Sequence, residues 1–321
     1  MSTLPLFEDP VPDFAAALAP KLARLAEQGI YIGTSSWKYE GWLGQIYSRE
    51  RYGYRGKFSQ KKFENECLEE YAKTFPIVCG DFSFYQFPSE AYWAKLFASA
   101  PRELRFTFKV PEDITVKRFP KHDRYGPKAG LENAAFLNPA LFQDGLLGPL
   151  ERYRSRIAAL ILEFGSFAKG AFAAEPAFLD RLEQFLAALP ATFRYAVEIR
   201  NPEFLEKHYF DCLRAHRVSH VFNAWTRMPE LGVQMGLADA FTTDFTLVRA
   251  LLRKGRAYED AVAQFSPYER IQDPNPAGRV ALQNLIVHAR RTRQPSFLFV
   301  NNRFEGNAPQ TIQAIVDDLP D

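Results

Sequence analysis

Cysteine is scarce in this chain of 321 residues: Cys67, Cys79 and Cys212 are an odd set, spaced like neither a disulfide framework nor a zinc site. Reduced, partly buried thiols in the cytosol are expected. The five histidines, His122, His208, His216, His220 and His288, lack ligand spacings such as H-E-x-x-H. No metal site is expected, since an oxygen-only magnesium site built on Glu163 and Glu198 would be crowded by neighbouring cations. No apolar run approaches the roughly 18 residues of a membrane span, and the most apolar stretch, residues 158–164, reads as a buried strand. The start, residues 1–20, carries Glu8, Asp9 and Asp13 and lacks the basic-then-apolar pattern of an export signal. A cytoplasmic protein without a membrane partner is the expectation. Walker loop, G-x-S-x-G elbow and kinase signatures are missing too, which removes support for familiar nucleotide hydrolysis and serine-esterase chemistry.

The formal charge is only +2, so no strong overall field draws the molecule to nucleic acid or membrane. Apolar residues make up 47% and charged residues 24%, the balance of a globular chain with a substantial core. Residues 14–27 place Phe14, Leu18, Leu22 and Leu25 at helical spacing, and read as an N-terminal helical extension, 1–29, before one domain over 30–321. Strand patterns then recur at 30–36, 77–84, 105–110, 157–164, 194–200, 218–223, 245–249 and 296–302. Helical patterns at 63–75, 90–99, 139–153, 177–189, 205–215, 280–293 and 309–319 separate most of them. This alternation predicts an α/β fold, a (β/α)8 TIM-like barrel with long βα loops. A doubly wound open sheet is the rival, but no G-x-G-x-x-G turn follows the first strand. On the third strand Thr107 and Lys109 should face the barrel interior with Arg105, and on the fifth Ala196 and Glu198 should do so with Arg194 and Arg200.

Barrel enzymes work at the carboxyl ends of their strands. That rule nominates Ser35, Ser36 and Trp37 after the first strand, Lys109 after the third, Glu163 after the fourth, and Glu198 with Arg200 after the fifth. Asn223 and Trp225 follow the sixth, Arg249 the seventh, and Asn301, Asn302 and Arg303 the eighth. Glu163 and Glu198 end adjacent strands and suit an acid/base pair, but a retaining glycosidase would need burial to raise the pKa of one of them. Many barrel glycosidases also keep their nucleophile after strand seven, where Arg249 stands. The bland alternative makes Glu163, Glu198, Lys109 and Arg200 an internal ion network. A Schiff-base role for Lys109 is weak, because nearby acids keep it charged. Basic residues cluster in three loops, with Arg49, Arg51, Arg55, Lys57, Lys61 and Lys62 in one, Lys117, Arg118, Lys121, Arg124 and Lys128 in another, and Arg253, Lys254 and Arg256 in a third. Trp37, Tyr39, Trp42, Tyr47, Tyr52, Tyr54, Phe84, Tyr85 and Trp225 interleave with them, either to stack on a ligand or to pack the loops.

Several phrases together are recognisable: Ile32-Gly33-Thr34-Ser35-Ser36-Trp37 with Trp42, Tyr71-Ala72 with Phe75, Phe82-Ser83-Phe84-Tyr85 with Pro88-Ser89, Ala196-Val197-Glu198-Ile199-Arg200 and Phe299-Val300-Asn301-Asn302. In this order they resemble the domain of unknown function 72 family, also called YecE-like, over about residues 30–319. The resemblance implies a TIM-like barrel and brings no established reaction. It draws attention to Ser35, Trp37, Phe84, Tyr85, Lys109, Glu198, Arg200, Asn301 and Asn302. Three departures stand out. Gly80-Asp81-Phe82-Ser83 replaces the usual Glu-x-Asn, Leu162-Glu163-Phe164-Gly165 replaces a Gln-x-Pro-Pro turn, and Arg249 is present without the accompanying His-Gly. An enzyme acting on a small anionic substrate, phosphorylated or sugar-containing, at the carboxyl mouth of the barrel is the first expectation. Glu198 is its candidate acid/base, with Lys109 as a second catalytic candidate; Lys109, Arg200 and Arg249 hold the anion, and Ser35, Trp37, Tyr85, Glu163, Trp225, Asn301, Asn302 and Arg303 line the site. The alternative is a protein that binds nucleic acid through the basic aromatic loops. Cofactor and oligomeric state are left open.

Overall fold

The computed structural model describes residues 11–54, 56–168, 170–172 and 176–320. Among them, eight parallel strands close into a barrel: β1 (Ile30–Thr34), β2 (Ile77–Gly80), β3 (Arg105–Lys109), β4 (Ile157–Phe164), β5 (Tyr195–Ile199), β6 (Ser219–Ala224), β7 (Thr246–Ala250) and β8 (Ser296–Val300). Each strand pairs with its neighbours in sequence, and β1 pairs with both β8 and β2 to close the ring. The expected barrel is therefore the observed one.

Period-two alternation sorts the side chains. Phe106, Phe108, Tyr195, Val197 and Ile199 face the helices in the main core, while Ile77, Ile161, Val221, Leu247, Phe297 and Phe299 fill the lumen. One step further along the same inward faces, Ile161 gives way to Glu163, Ala196 to Glu198, Val221 to Asn223 and Leu247 to Arg249. The lumen thus changes from apolar to charged at its carboxyl end.

The connections differ from the sequence expectation in three places. No helical pattern is legible between β6 and β7, where the structure has only the five-residue helix Leu231–Met235, hemmed by Pro229 and Gly236. The 139–153 segment is not one smooth helix: Pro139–Phe142 runs into a π-turn over Gln143–Leu147 and ends as the 3-10 turn Glu151–Arg156. The supposed surface loop 49–62 holds a small antiparallel hairpin, Gly53–Tyr54 with Lys57–Phe58, and Ser59 then caps the helix Gln60–Tyr71. Arg55 and the Tyr54 side chain lie outside the described residues.

The first helix, Asp13–Glu27, buries Leu18, Leu22 and Leu25 in the same cluster as the barrel's outer face, and Lys21 pairs with Asp317 of the last helix. Leu22→Ala should cost about 2–5 kcal/mol in urea unfolding and shift one common transition. An unshifted transition would make the helix an appendage to the barrel.

Candidate functional site

Six charged side chains meet inside the carboxyl mouth. Lys109 ends β3, Glu163 and Glu198 face each other in register on β4 and β5, Arg200 follows β5, and Arg249 lies on β7. The sixth, Asp81, was not nominated from sequence. The strand pattern runs to residue 84, whereas β2 stops at Gly80 and the chain turns into the 3-10 helix Asp81–Phe84. A Cβ on Gly80 would stand 2.7 Å from the Phe82 ring and 2.8 Å from the Phe108 ring, so glycine is what admits this turn. The departure from the family's Glu-x-Asn was the only available signal.

Arg249 is the hub. Its NH1 donates to Glu163 Oε2 at 2.7 Å and Glu198 Oε2 at 2.5 Å, and its NH2 donates to Asp81 Oδ1 at 3.0 Å. Arg200 donates to Glu198 Oε1 through Nε at 2.9 Å and lies 2.8 Å from Glu163 through NH2. Lys109 Nζ stands 2.9 Å from Glu163 Oε2 and 3.6 Å from the centre of the Phe84 ring. Three cations thus answer three carboxylates, and the centre carries no formal net charge. The carboxylates converge on guanidinium groups, and among the described residues no three His, Cys, Asp or Glu side chains gather as a metal would need.

Burial alone would raise the Glu163 pKa, but Arg200, Lys109 and Arg249 together hold it well below the usual carboxylate range. Burial likewise opposes the Arg249 charge, and Glu198, Asp81 and Glu163 outweigh it. A glycosidase-type pair needs one carboxyl raised; Glu163 moves the opposite way. Glu198 is fully buried, with one oxygen on Arg200 and the other on Arg249. The accessible members are Asp81, its side chain 30% exposed, and Arg200, at 13%.

The aromatic surroundings divide. Trp225 lies 3.7 Å from the Arg200 guanidinium and walls the centre. Beyond Trp225, a cleft of about 390 Å³ runs between Met228, Arg253, Lys254 and Phe304 to the start of the helix Pro276–Thr292. Tyr85 is exposed and stacks with Arg124. Trp37 instead joins the main core with Trp42, Tyr47 and Tyr52, so these four rings pack loops onto the barrel.

The remaining nominated residues serve the backbone or stand at the rim. Ser35 is buried, and its Oγ has no hydrogen-bond partner among the described residues. Asn301 caps the turn Asn302–Phe304 by accepting from the Arg303 amide. Asn302 Oδ1 accepts from Trp42 Nε1 and from the Ala308 amide. Both acceptor sites of the Asn302 oxygen are engaged, while its Nδ2 is buried with no partner among the described residues. Arg303 lies against Tyr258 at 4.5 Å.

The second and third basic loops are largely neutralised at home, whereas in the first Arg51 is the one ion-paired cation among the described residues. Arg51 pairs with Glu69, Lys117 and Arg118 with Glu132, Arg124 with Glu112, Lys128 with Asp113, and Arg253 and Arg256 with Asp273.

A family model described as "Protein of unknown function DUF72" matches residues 31–321. The chain belongs to the DUF72 family. Among curated relatives, the UPF0759 protein YecE of Escherichia coli K12 is 27% identical over 178 residues, 56% of this chain and 51% of that protein. The alignment therefore spans about half the length of that relative. A DUF72 crystal structure from Thermotoga maritima aligns with a TM-score of 0.59 at 20% identity, covering 90% of this chain and 98% of that one. One from Enterococcus faecalis aligns with a TM-score of 0.61 at 16% identity, covering 91% and 97%. At these identities the structures establish the shared DUF72 barrel and nothing about its chemistry.

Removing one carboxylate would leave cations buried and underpaired. Glu163→Gln should destabilise the protein by about 3–5 kcal/mol near neutral pH. Because the folded pKa is depressed, the wild-type advantage is present above the unfolded value of about 4.3 and shrinks as pH falls through the folded value. Urea unfolding of both proteins at neutral and strongly acidic pH checks magnitude and sign together.

Proposed function

We propose that this DUF72 protein is an enzyme that binds a small anionic substrate, phosphorylated or sugar-containing, at the carboxyl mouth of its barrel. The observation that carries this reading is the convergence there of Asp81, Lys109, Glu163, Glu198, Arg200 and Arg249 from five different strands. Buried ion networks are weak stabilisers, and well-packed apolar groups usually do as well. The same inward faces carry apolar residues one layer deeper, so packing a barrel does not require these charges. Their position at the catalytic end of the fold favours chemistry.

Roles follow from access. Arg200 and Lys109, the less buried cations, meet substrate oxygens, with Trp225 and Phe84 as apolar walls. Asp81 takes the proton-transfer role first assigned to Glu198, because it alone among the three carboxylates reaches open space. Glu163 and Glu198 position the guanidinium groups. The adjoining cleft, about 390 Å³, matches small-metabolite sites in size. The nucleic-acid alternative is less favoured, since Trp37, Trp42, Tyr47 and Tyr52 are buried and about half of the loop cations are held in local ion pairs.

Thermal unfolding against sugar phosphates, sugar acids, neutral sugars and single-stranded oligonucleotides tests the choice. One small anionic class should raise the melting temperature by mass action and persist at about 0.15 M salt. With that ligand as substrate, Asp81→Asn should retain binding and lose about 10²-fold or more in turnover. Stabilisation by oligonucleotides alone, fading as salt rises, would replace the enzyme reading.

A further inference from the structure

The mouth's central cations are all committed to carboxylates. Arg200, Arg249 and Lys109 each have an acidic partner within 3 Å. An incoming anion must therefore compete with internal carboxylates to use any of them. Arg303 differs: it follows β8 on the turn Asn302–Phe304 and makes no ion pair and no side-chain hydrogen bond among the described residues. Its Nε is buried without a partner, and one face of its guanidinium rests on the half-exposed ring of Tyr258.

We infer that Arg303 is the anion-reading residue of the site, receiving a phosphate or carboxylate of the substrate beside Tyr39, while the rest of the substrate faces Asp81. The inference rests on the proposed enzyme reading and deepens it, by making the substrate bifunctional: an anionic end at β8 and a polar, reacting end over the network. Guanidinium suits this task because its planar fork matches phosphate and carboxylate oxygens in pairs, and an aromatic face beneath it fixes the fork without consuming its donors.

Tyr39 lies on the first βα loop beside the Asn302–Phe304 turn, through its contact with Trp42. Its hydroxyl is pushed up to about 12, chiefly by burial; Arg303 opposes that shift and Asp81 adds to it. Trp42, which packs on the Tyr39 ring, donates to Asn302 Oδ1 beside Arg303, and the phenol stays a neutral donor at working pH. Trp42 and Tyr268 pack its ring at 4.9 and 5.5 Å, so its direction is set by the fold. Asn301 is a positioning residue here: by capping the Arg303 amide at 3.0 Å it holds the turn that presents the guanidinium.

Inorganic phosphate is the probe, titrated against matched chloride while thermal unfolding is followed, with wild type, Arg303→Gln, Arg303→Lys and the distant surface variant Arg118→Gln. Wild type and Arg118→Gln should bind phosphate alike, Arg303→Gln about tenfold or more weaker, and Arg303→Lys in between, since it keeps the charge and loses the fork. Melting temperatures without phosphate show that each variant is folded. Should Arg303→Gln fail to fold, equal phosphate binding by Arg303→Lys and wild type would overturn the fork's role. Undiminished binding by a folded Arg303→Gln overturns the subsite while leaving an anion site elsewhere in the mouth. If phosphate does not bind wild type, the subsite is overturned; the enzyme reading falls with it only if the sugar phosphates and sugar acids are silent too.

Discussion

A buried guanidinium governs this structure. Arg249 extends from β7 across the lumen to carboxylates from β2, β4 and β5, so one side chain ties together walls that the sheet's hydrogen bonds join only through intermediate strands. Such a charge is tolerated only where its donors are met. That need accounts for the polar layer above the apolar lumen, and for the place where β2 must stop. Asp81 reaches Arg249 because Gly80 lets the chain leave the sheet there and turn into the Asp81–Phe84 helix.

Register does the rest. Glu163 and Glu198 sit side by side because β4 and β5 pair Leu160 with Tyr195, and a one-residue slip of β5 against β4 would turn Glu198 outward into the helices and leave Glu163 without it. The alternation that made the barrel legible from sequence also put both carboxylates on its inner face. Strand-end logic therefore found Lys109, Glu163, Glu198, Arg200 and Arg249 without any knowledge of tertiary contacts.

What sequence did not disclose depends on competition between equivalent uses of one residue type. An asparagine after a strand can bind a ligand or cap a turn, and at Asn301 and Asn302 the caps won because the turn leading into the helix Ala308–Asp317 exposes backbone amides. Aromatic residues in a long loop can face ligand or core. Around Trp42 they pack with Tyr47 and Phe63 and anchor the first βα loop, an outcome helped by the bond from Trp42 Nε1 to the distant Asn302. Cations in loops read as a field, yet about half of them, mainly in the second and third loops, found a carboxylate nearby. Five of the six network residues were legible in the sequence, but the network's neutrality was not, since Asp81 was hidden within an apparent strand.

That neutrality shapes what the mouth can recognise. A balanced centre exerts little long-range pull, so on the proposed reading it discriminates by hydrogen-bond geometry at short distance. Fully paired arginines also cost little to keep rigid, and a rigid set of donors is worth more to a transition state than a flexible one. Charge recognition then falls to the periphery, where a guanidinium without a carboxylate remains available. Orientation at the centre and charge at the rim are separable tasks. The barrel's eight strand ends let different residues carry them without disturbing the Arg249 hub on which the polar layer stands.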